Sequence, residues 1–158
     1  MRKAADAAAE FLECKRIAVT GVSRNPEGHG ANVVYGRLKD RGYQVFPVNP
    51  NAEKVAGDTC YPDLTSIPDS VDAVVVGTSA THAEGTVREC VTLGIPIVWL
   101  HRSFGAGSVS AAATEYGRAH GLTIIDGGCP LMYPPTSDAG HRVMRWICTL
   151  SGALPKQV

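Results

Sequence analysis

Five short apolar runs rich in β-branched residues, near positions 16–22, 44–48, 72–77, 96–101 and 122–126, recur along the chain with helical stretches between them. Strands that alternate with helices pair in parallel, because each parallel pair needs a crossover long enough to hold a helix. The third run, Ala73-Val74-Val75-Val76-Gly77, and the fourth, Ile95-Pro96-Ile97-Val98-Trp99-Leu100, are apolar on both faces. Strands covered by helices on each side have that character.

The expected fold class is therefore α/β: a Rossmann-like doubly wound five-stranded parallel sheet with helices on both faces and strand order 3-2-1-4-5. In that order a ligand crevice opens between the first and fourth strands, beyond their carboxyl ends. Helix punctuation agrees with the alternation. Thr81-x-x-Glu84 reads as a capping box, Ser108 and Ser137 as N-caps, and Gly42, Gly94 and Gly121 as helix stops just before strands. An N-terminal helix over about 2–13 is expected to pack on the sheet edge through Ala8, Phe11 and Leu12. In the last helix, about 138–151, Val143, Trp146, Ile147 and Leu150 share a face. That stripe is expected to face the core with His141, Arg142 and Arg145 turned away, and no partner-binding surface is expected there.

A chain of 158 residues suits one domain, 1–158, with its core over about 15–135. Acidic and basic residues balance at 15 each, so no global field draws the chain to nucleic acid or to an anionic membrane. No apolar run approaches the roughly 18–20 residues of a membrane span, and the Ala-rich start carries Asp6 and Glu10. A cytoplasmic location is expected. The five cysteines form an odd set without C-x-x-C or Cys/His ligand spacing, which argues for reduced thiols and against structural zinc.

The first run leads into Gly21-Val22-Ser23-Arg24-Asn25-Pro26-Glu27-Gly28-His29-Gly30. A strand, a glycine turn and a helix start form the place where an α/β sheet presents backbone N–H groups to phosphate. A G-x-G-x-x-G frame begun at Gly21 puts Ser23 and Pro26 at the later glycines, so the turn must be wider than a dinucleotide fingerprint, with the helix starting near Gly28 to Ala31. Arg24 and His29 stand where they could meet further negative charge. After the second strand comes Val48-Asn49-Pro50-Asn51, where a NAD site would carry an acid for the ribose hydroxyls. Asn49 could hydrogen-bond a base or ribose, or simply form an Asn-Pro turn.

Several of these segments occur together in a known order. Ile17 to Ser23, Val48-Asn49-Pro50, Gly57-Asp58-Thr59-Cys60-Tyr61-Pro62-Asp63-Leu64 with Ile67-Pro68, Asp72 to Val76, Val98-Trp99-Leu100-His101 and Cys129-Pro130 resemble the small stand-alone CoA-binding protein family. That family is similar in fold to the nucleotide-binding domain of the succinyl-CoA synthetase α subunit, and the likeness runs over about 15–135. The resemblance implies coenzyme A, or an acyl-CoA, bound in the switch-point crevice. It implies Gly21, Val22, Ser23, Arg24 and Asn25 along the diphosphate and pantetheine, Asn49 and Pro50 beside the nucleotide, and Thr78, Ser79 and Ala80 as a wall. Many relatives carry Lys soon after Asn-Pro, where this chain has Asn51 and then Lys54, and Gln where it has His101.

Candidates for chemistry are few. Cys129 follows the fifth strand and could meet the CoA sulfur, although a free cysteine is commonly a buried small hydrophobe. His101 and Arg102 end the fourth strand and could hold phosphate or a thioester carbonyl. His82, His120 and His141 read as helix-surface residues. Two functions compete: a non-catalytic CoA-binding or regulatory module, and an enzyme on the same fold, either an NAD(P)-dependent oxidoreductase or a CoA-dependent acyl or sulfur transfer protein using Cys129 or His101.

Overall fold

A computed structural model describes residues 2–27, 29–103 and 105–158. The apolar runs form strands as expected: β1 (Arg16–Thr20), β2 (Gln44–Val48), then a small antiparallel hairpin of β3 (Lys54–Val55) and β4 (Asp58–Thr59), followed by β5 (Ala73–Val76), β6 (Ile97–Leu100) and β7 (Thr123–Asp126). Helices α1 (Ala4–Glu13), α2 (Gly30–Asp40), α3 (Ala80–Leu93), α4 (Ala111–Ala119) and α5 (Ala139–Leu150) complete the chain. Gly28, the earliest expected start of the second helix, lies outside the described residues. No helix among them is long and apolar enough to cross a membrane.

The sheet is parallel, five-stranded and flanked by helices, in the order β2-β1-β5-β6-β7. Counting the parallel strands alone, this is 2-1-3-4-5, which corrects the expected 3-2-1-4-5. The reason lies in the helix-free crossover from β2 to β5. Its Leu64, Ile67 and Val71 pack with Val74 and Val76 on the α3 side of the sheet, whereas α2 packs through Val34 and Leu38 on the other side. Right-handed crossovers on opposite faces step in opposite directions, so the third strand lands beyond β1. The crevice therefore opens between β1 and β5 and not between the first and fourth strands.

Three helix starts differ from expectation. The first turn of α3 begins at Ala80 with Ser79 as N-cap, and Glu84 pairs with Arg88 instead of closing a box on Thr81. Ser110, two residues past the expected Ser108, caps α4 by accepting from the Ala113 amide. Asp138, not Ser137, caps α5 through the His141 amide at 2.8 Å. The expected stops hold: Gly94 ends α3 at φ +70°, and Gly42 and Gly121 also take positive φ just past their helices.

One face of the sheet is organised on Trp99, which is fully buried. Phe11 of α1 meets its ring edge-on at 5.3 Å, Tyr133 at 5.5 Å, and its Nε1–H donates to the Gly127 carbonyl at 2.9 Å. A buried indole needs such an acceptor. The last helix shares this face of the sheet but is seated the opposite way from expectation. Val143, Trp146, Ile147 and Leu150 are exposed, while His141, Met144, Arg145 and Cys148 turn toward the body. Periodicity fixed the stripe, but the Arg145 guanidinium over the Tyr133 ring at 4.4 Å and the His141–Asp138 pair hold the polar side inward.

Candidate functional site

The crevice exists because two glycines let β1 and β5 end almost in contact. Gly21 sits at φ +78°, and a Cβ there would lie 2.4 Å from the Gly77 carbonyl carbon. A Cβ on Gly77 would lie 2.6 Å from the Thr20 carbonyl oxygen and from the Ala31 Cβ. No side chain fits either position. The Gly77 amide is then held by the Thr20 carbonyl at 3.0 Å, and the Gly21 amide by the Val48 carbonyl at 3.2 Å.

Two asparagines clamp the first loop. Asn32, in the first turn of α2, accepts from the Ser23 amide and donates to the Ser23 carbonyl, both at 2.8 Å. Asn49 donates to the Val22 carbonyl at 2.7 Å and accepts from the Asn51 amide at 2.8 Å. The Asn-Pro turn and the candidate ligand residue are thus one structure, and Asn49 acts first as a strut. The Asn25 amide is held by the Ser23 hydroxyl at 3.1 Å. The expected row of amides at the tip of β1 is therefore largely closed, with Gly21, Ser23 and Asn25 donating within the protein. Uncommitted amides are found instead at the start of helix α2. First-turn amides have no intrahelical partner, and those of Gly30 and Ala31 meet no acceptor among the described residues.

Two cavities meet at Thr78. The larger, about 580 Å³, is lined by Gly21, Val22, Ser23, His29, Asn49, Pro50, Asn51 and Thr78 among the expected residues. Its far wall comes from Pro62, Asp63 and the α3 residues His82, Gly85, Thr86 and Glu89. The adjoining cavity, about 450 Å³, is lined by Gly30, Ala31, Gly77, Thr78, Ser79, His101, Ser103, Gly107 and Ser108. Both volumes fall in the ~300–1,000 Å³ range of small-molecule sites. The Thr78 hydroxyl oxygen is buried without a hydrogen-bond partner among the described residues, while its carbonyl accepts from Ser108. Thr78 thus lines both cavities while its own hydroxyl oxygen is enclosed by protein.

The other expected residues stand apart. Arg24, Asn25 and Lys54 are exposed and line neither cavity, and Ala80 also lies outside both linings. The Arg102 amide is tied to the Gly128 carbonyl at 2.9 Å, so only His101 of that pair reaches a cavity. Cys129 is 2 % exposed and packs in the core beside Leu131 and Met132. Burial pushes its thiol up to about 12, the reverse of an activated nucleophile. Burial and the neighbouring His141 push His101 down to about 4, so its imidazole is neutral at pH 7. His141 belongs to this neighbourhood, which corrects its expected place as a bare surface residue.

The larger cavity carries acids as well as histidines, so His101 and Arg102 are not its ionisable groups. Glu89 accepts from the amides of Leu64 and Thr65, and Asp63 accepts from the amide and hydroxyl of Ser66. Glu89 fixes the turn against α3, and Asp63 braces it from within. Asn32, Ser108 and the α3 wall were missed from the sequence because each acts through tertiary contact. A polar residue one turn into a helix that follows the glycine loop was the single available hint for Asn32.

Comparisons with known proteins bear on this geometry. A family model described as CoA binding domain matches residues 15–135. The chain belongs to that family. It is 36% identical over 105 residues to an acetate–CoA ligase (ADP-forming) II of Archaeoglobus fulgidus, covering 65% of this chain and 14% of that protein. The chain thus spans about a seventh of that relative's length. It is 29% identical over 111 residues to the Bacillus subtilis protein YneT, covering 70% of this chain and 78% of YneT. A solved structure of a hypothetical protein from Pyrococcus horikoshii superposes with a TM-score of 0.73 at 31% identity, over 80% of this chain and 86% of that one.

Proposed function

We propose that this CoA binding domain takes up coenzyme A, or an acyl-CoA, across the β1/β5 crevice and acts as a non-catalytic binding or regulatory module. The observation that carries the reading is the pair of cavities that share Thr78, one of them walled by the first turn of α2, where the Gly30 and Ala31 amides meet no acceptor among the described residues. A diphosphate suits the helix N-terminus, where aligned peptide dipoles and amides favour anions. The nucleotide end then occupies the larger cavity between the Asn49-Pro50 turn and Thr86, and the pantetheine arm runs past Thr78 toward His101. Arg24 and Lys54, both exposed and outside the two linings, are the cations we assign to the 3′-phosphate, with His29 in the wall of the larger cavity.

The same geometry disfavours turnover. Neither candidate group is activated at pH 7: the Cys129 thiol is protonated and walled into the core, and His101 faces a neutral, small-residue cavity without a carboxylate partner. The missing ribose acid after β2 argues against a nicotinamide cofactor. A thermal-shift comparison of CoA, acetyl-CoA, 3′-dephospho-CoA, NAD and NADP tests the proposal, since a ligand bound only by the native state raises its melting point. Stabilisation by both CoA and acetyl-CoA is expected, with 3′-dephospho-CoA weaker if an exposed cation reaches the phosphate. Stabilisation by a nicotinamide cofactor without any by CoA would overturn it.

A further inference from the structure

The outer face of α5 is the least explained surface of the molecule. Val143, Trp146, Ile147 and Leu150 are 59, 65, 47 and 69 % exposed, and among the described residues the remaining large exposed hydrophobic is Val33. Their i, i+3, i+4, i+7 spacing makes one straight stripe two turns long. The helix cannot roll to bury it. Asp138 holds its first turn, Arg145 and Met144 seat its inner side, and the chain beyond it returns to the N-terminal segment, with Val158 and Arg2 exchanging hydrogen bonds at 2.9 and 3.2 Å.

We propose that this stripe is a self-association surface, on which α5 of a second copy packs antiparallel about a twofold axis between Trp146 and Ile147. Two features of the helix select a second copy. The first is area: four such side chains expose roughly 450 Å² together, so pairing removes about 900 Å² before flanking residues are counted, close to the ~1,000 Å² that marks a specific interface. The second is charge. The last turn of α5 holds no basic residue, so a cation brought to it by a second copy meets no like charge on that turn. The antiparallel arrangement sets Val143 against Leu150 of the second copy and carries Arg142, on the flank of the stripe, to the C-terminal turn of the opposing helix. A cation at that end is stabilising, and the two helix dipoles oppose each other favourably. An isologous contact repeats both gains twice. No acid lies on the stripe to oppose its burial, and two arginines on a chain of zero net charge are few for an anionic lipid surface.

Sedimentation velocity of the full chain from about 1 to about 200 µM tests the proposal, because self-association follows mass action. The expected result is a concentration-dependent rise from 16.7 kDa toward twice that mass, abolished by Trp146→Glu and by Leu150→Glu. Both variants are expected to keep the wild-type melting point at low concentration and the wild-type shift with CoA, so loss of dimer is distinguishable from loss of the ligand site. Trp146 emission should move to the blue as the wild-type concentration rises. A wild-type chain that stays monomeric throughout overturns the proposal. So does unfolding of both variants, or co-sedimentation of a monomeric chain with phosphatidylserine vesicles.

Discussion

The rim of the crevice and the outer face of α5 are both picked out by sequence pattern, yet one is held from several sides by the protein and the other faces water. At the rim, Gly21 and Gly77 leave no room for a Cβ, and Asn32 and Asn49 tie the loop to its neighbours. On α5, four large apolar side chains touch little. The difference shows that a motif defined by backbone approach carries its own location, whereas an amphipathic stripe gives a direction on the helix without saying what lies in that direction.

Substitutions should separate the two regions by size of effect. Gly21→Ala forces a Cβ into the Gly77 backbone and strains a positive φ, together about 3–4 kcal/mol. A fall of about 10 °C in melting point, with loss of the CoA response, is the expected outcome by differential scanning calorimetry. Retention of both would break the comparison at its strongest point.

Asn32→Ala leaves the amide and carbonyl of Ser23 without their partner in a partly buried loop. The expected cost is about 1–3 kcal/mol in denaturant unfolding, with CoA affinity about tenfold weaker. An unchanged affinity would mean that the loop is not what shapes the ligand site.

The pH profile sharpens the same contrast. His101 is pushed down to about 4 from 6.5, so across that window the unfolded chain binds the proton more readily than the folded one. Its contribution to stability is therefore present above about pH 6.5 and lost as the pH falls toward about 4. Thermal unfolding of wild type against His101→Asn over that range should show a shallower acid limb for the variant. The smallest effect belongs to α5: Trp146→Ala at low protein concentration should change unfolding free energy by no more than about 0.5 kcal/mol, whereas a core tryptophan would cost about 3–5.

Much of this was readable in advance, for physical reasons that differ by element. All five parallel strands were legible because runs such as Ala73–Val76 are apolar on both faces and end at glycines. The strand order was not, since the 49–72 crossover has no helix and its Leu64, Ile67 and Val71 reveal their face of the sheet only in three dimensions. The glycine turn at the end of β1 was legible, but the tie of the Ser23 amide to Asn32 was hidden, as side-chain to backbone bonds across a loop leave no local signal. For Cys129 the sequence left open a crevice thiol and a buried small hydrophobe, and it is buried, with Leu131 and Met132 carrying the next turn back over the core. The orientation of α5 was the largest miss, set by the Arg145–Tyr133 stack and not by its apolar residues.

Isothermal titration of CoA into the protein tests the account most directly. The two-cavity crevice predicts a saturable one-to-one heat that NADP at equal concentration does not reproduce, and that Gly21→Ala removes. No heat and no saturable uptake of CoA up to about millimolar concentration, where binding free energy is only about 4 kcal/mol, would contradict it.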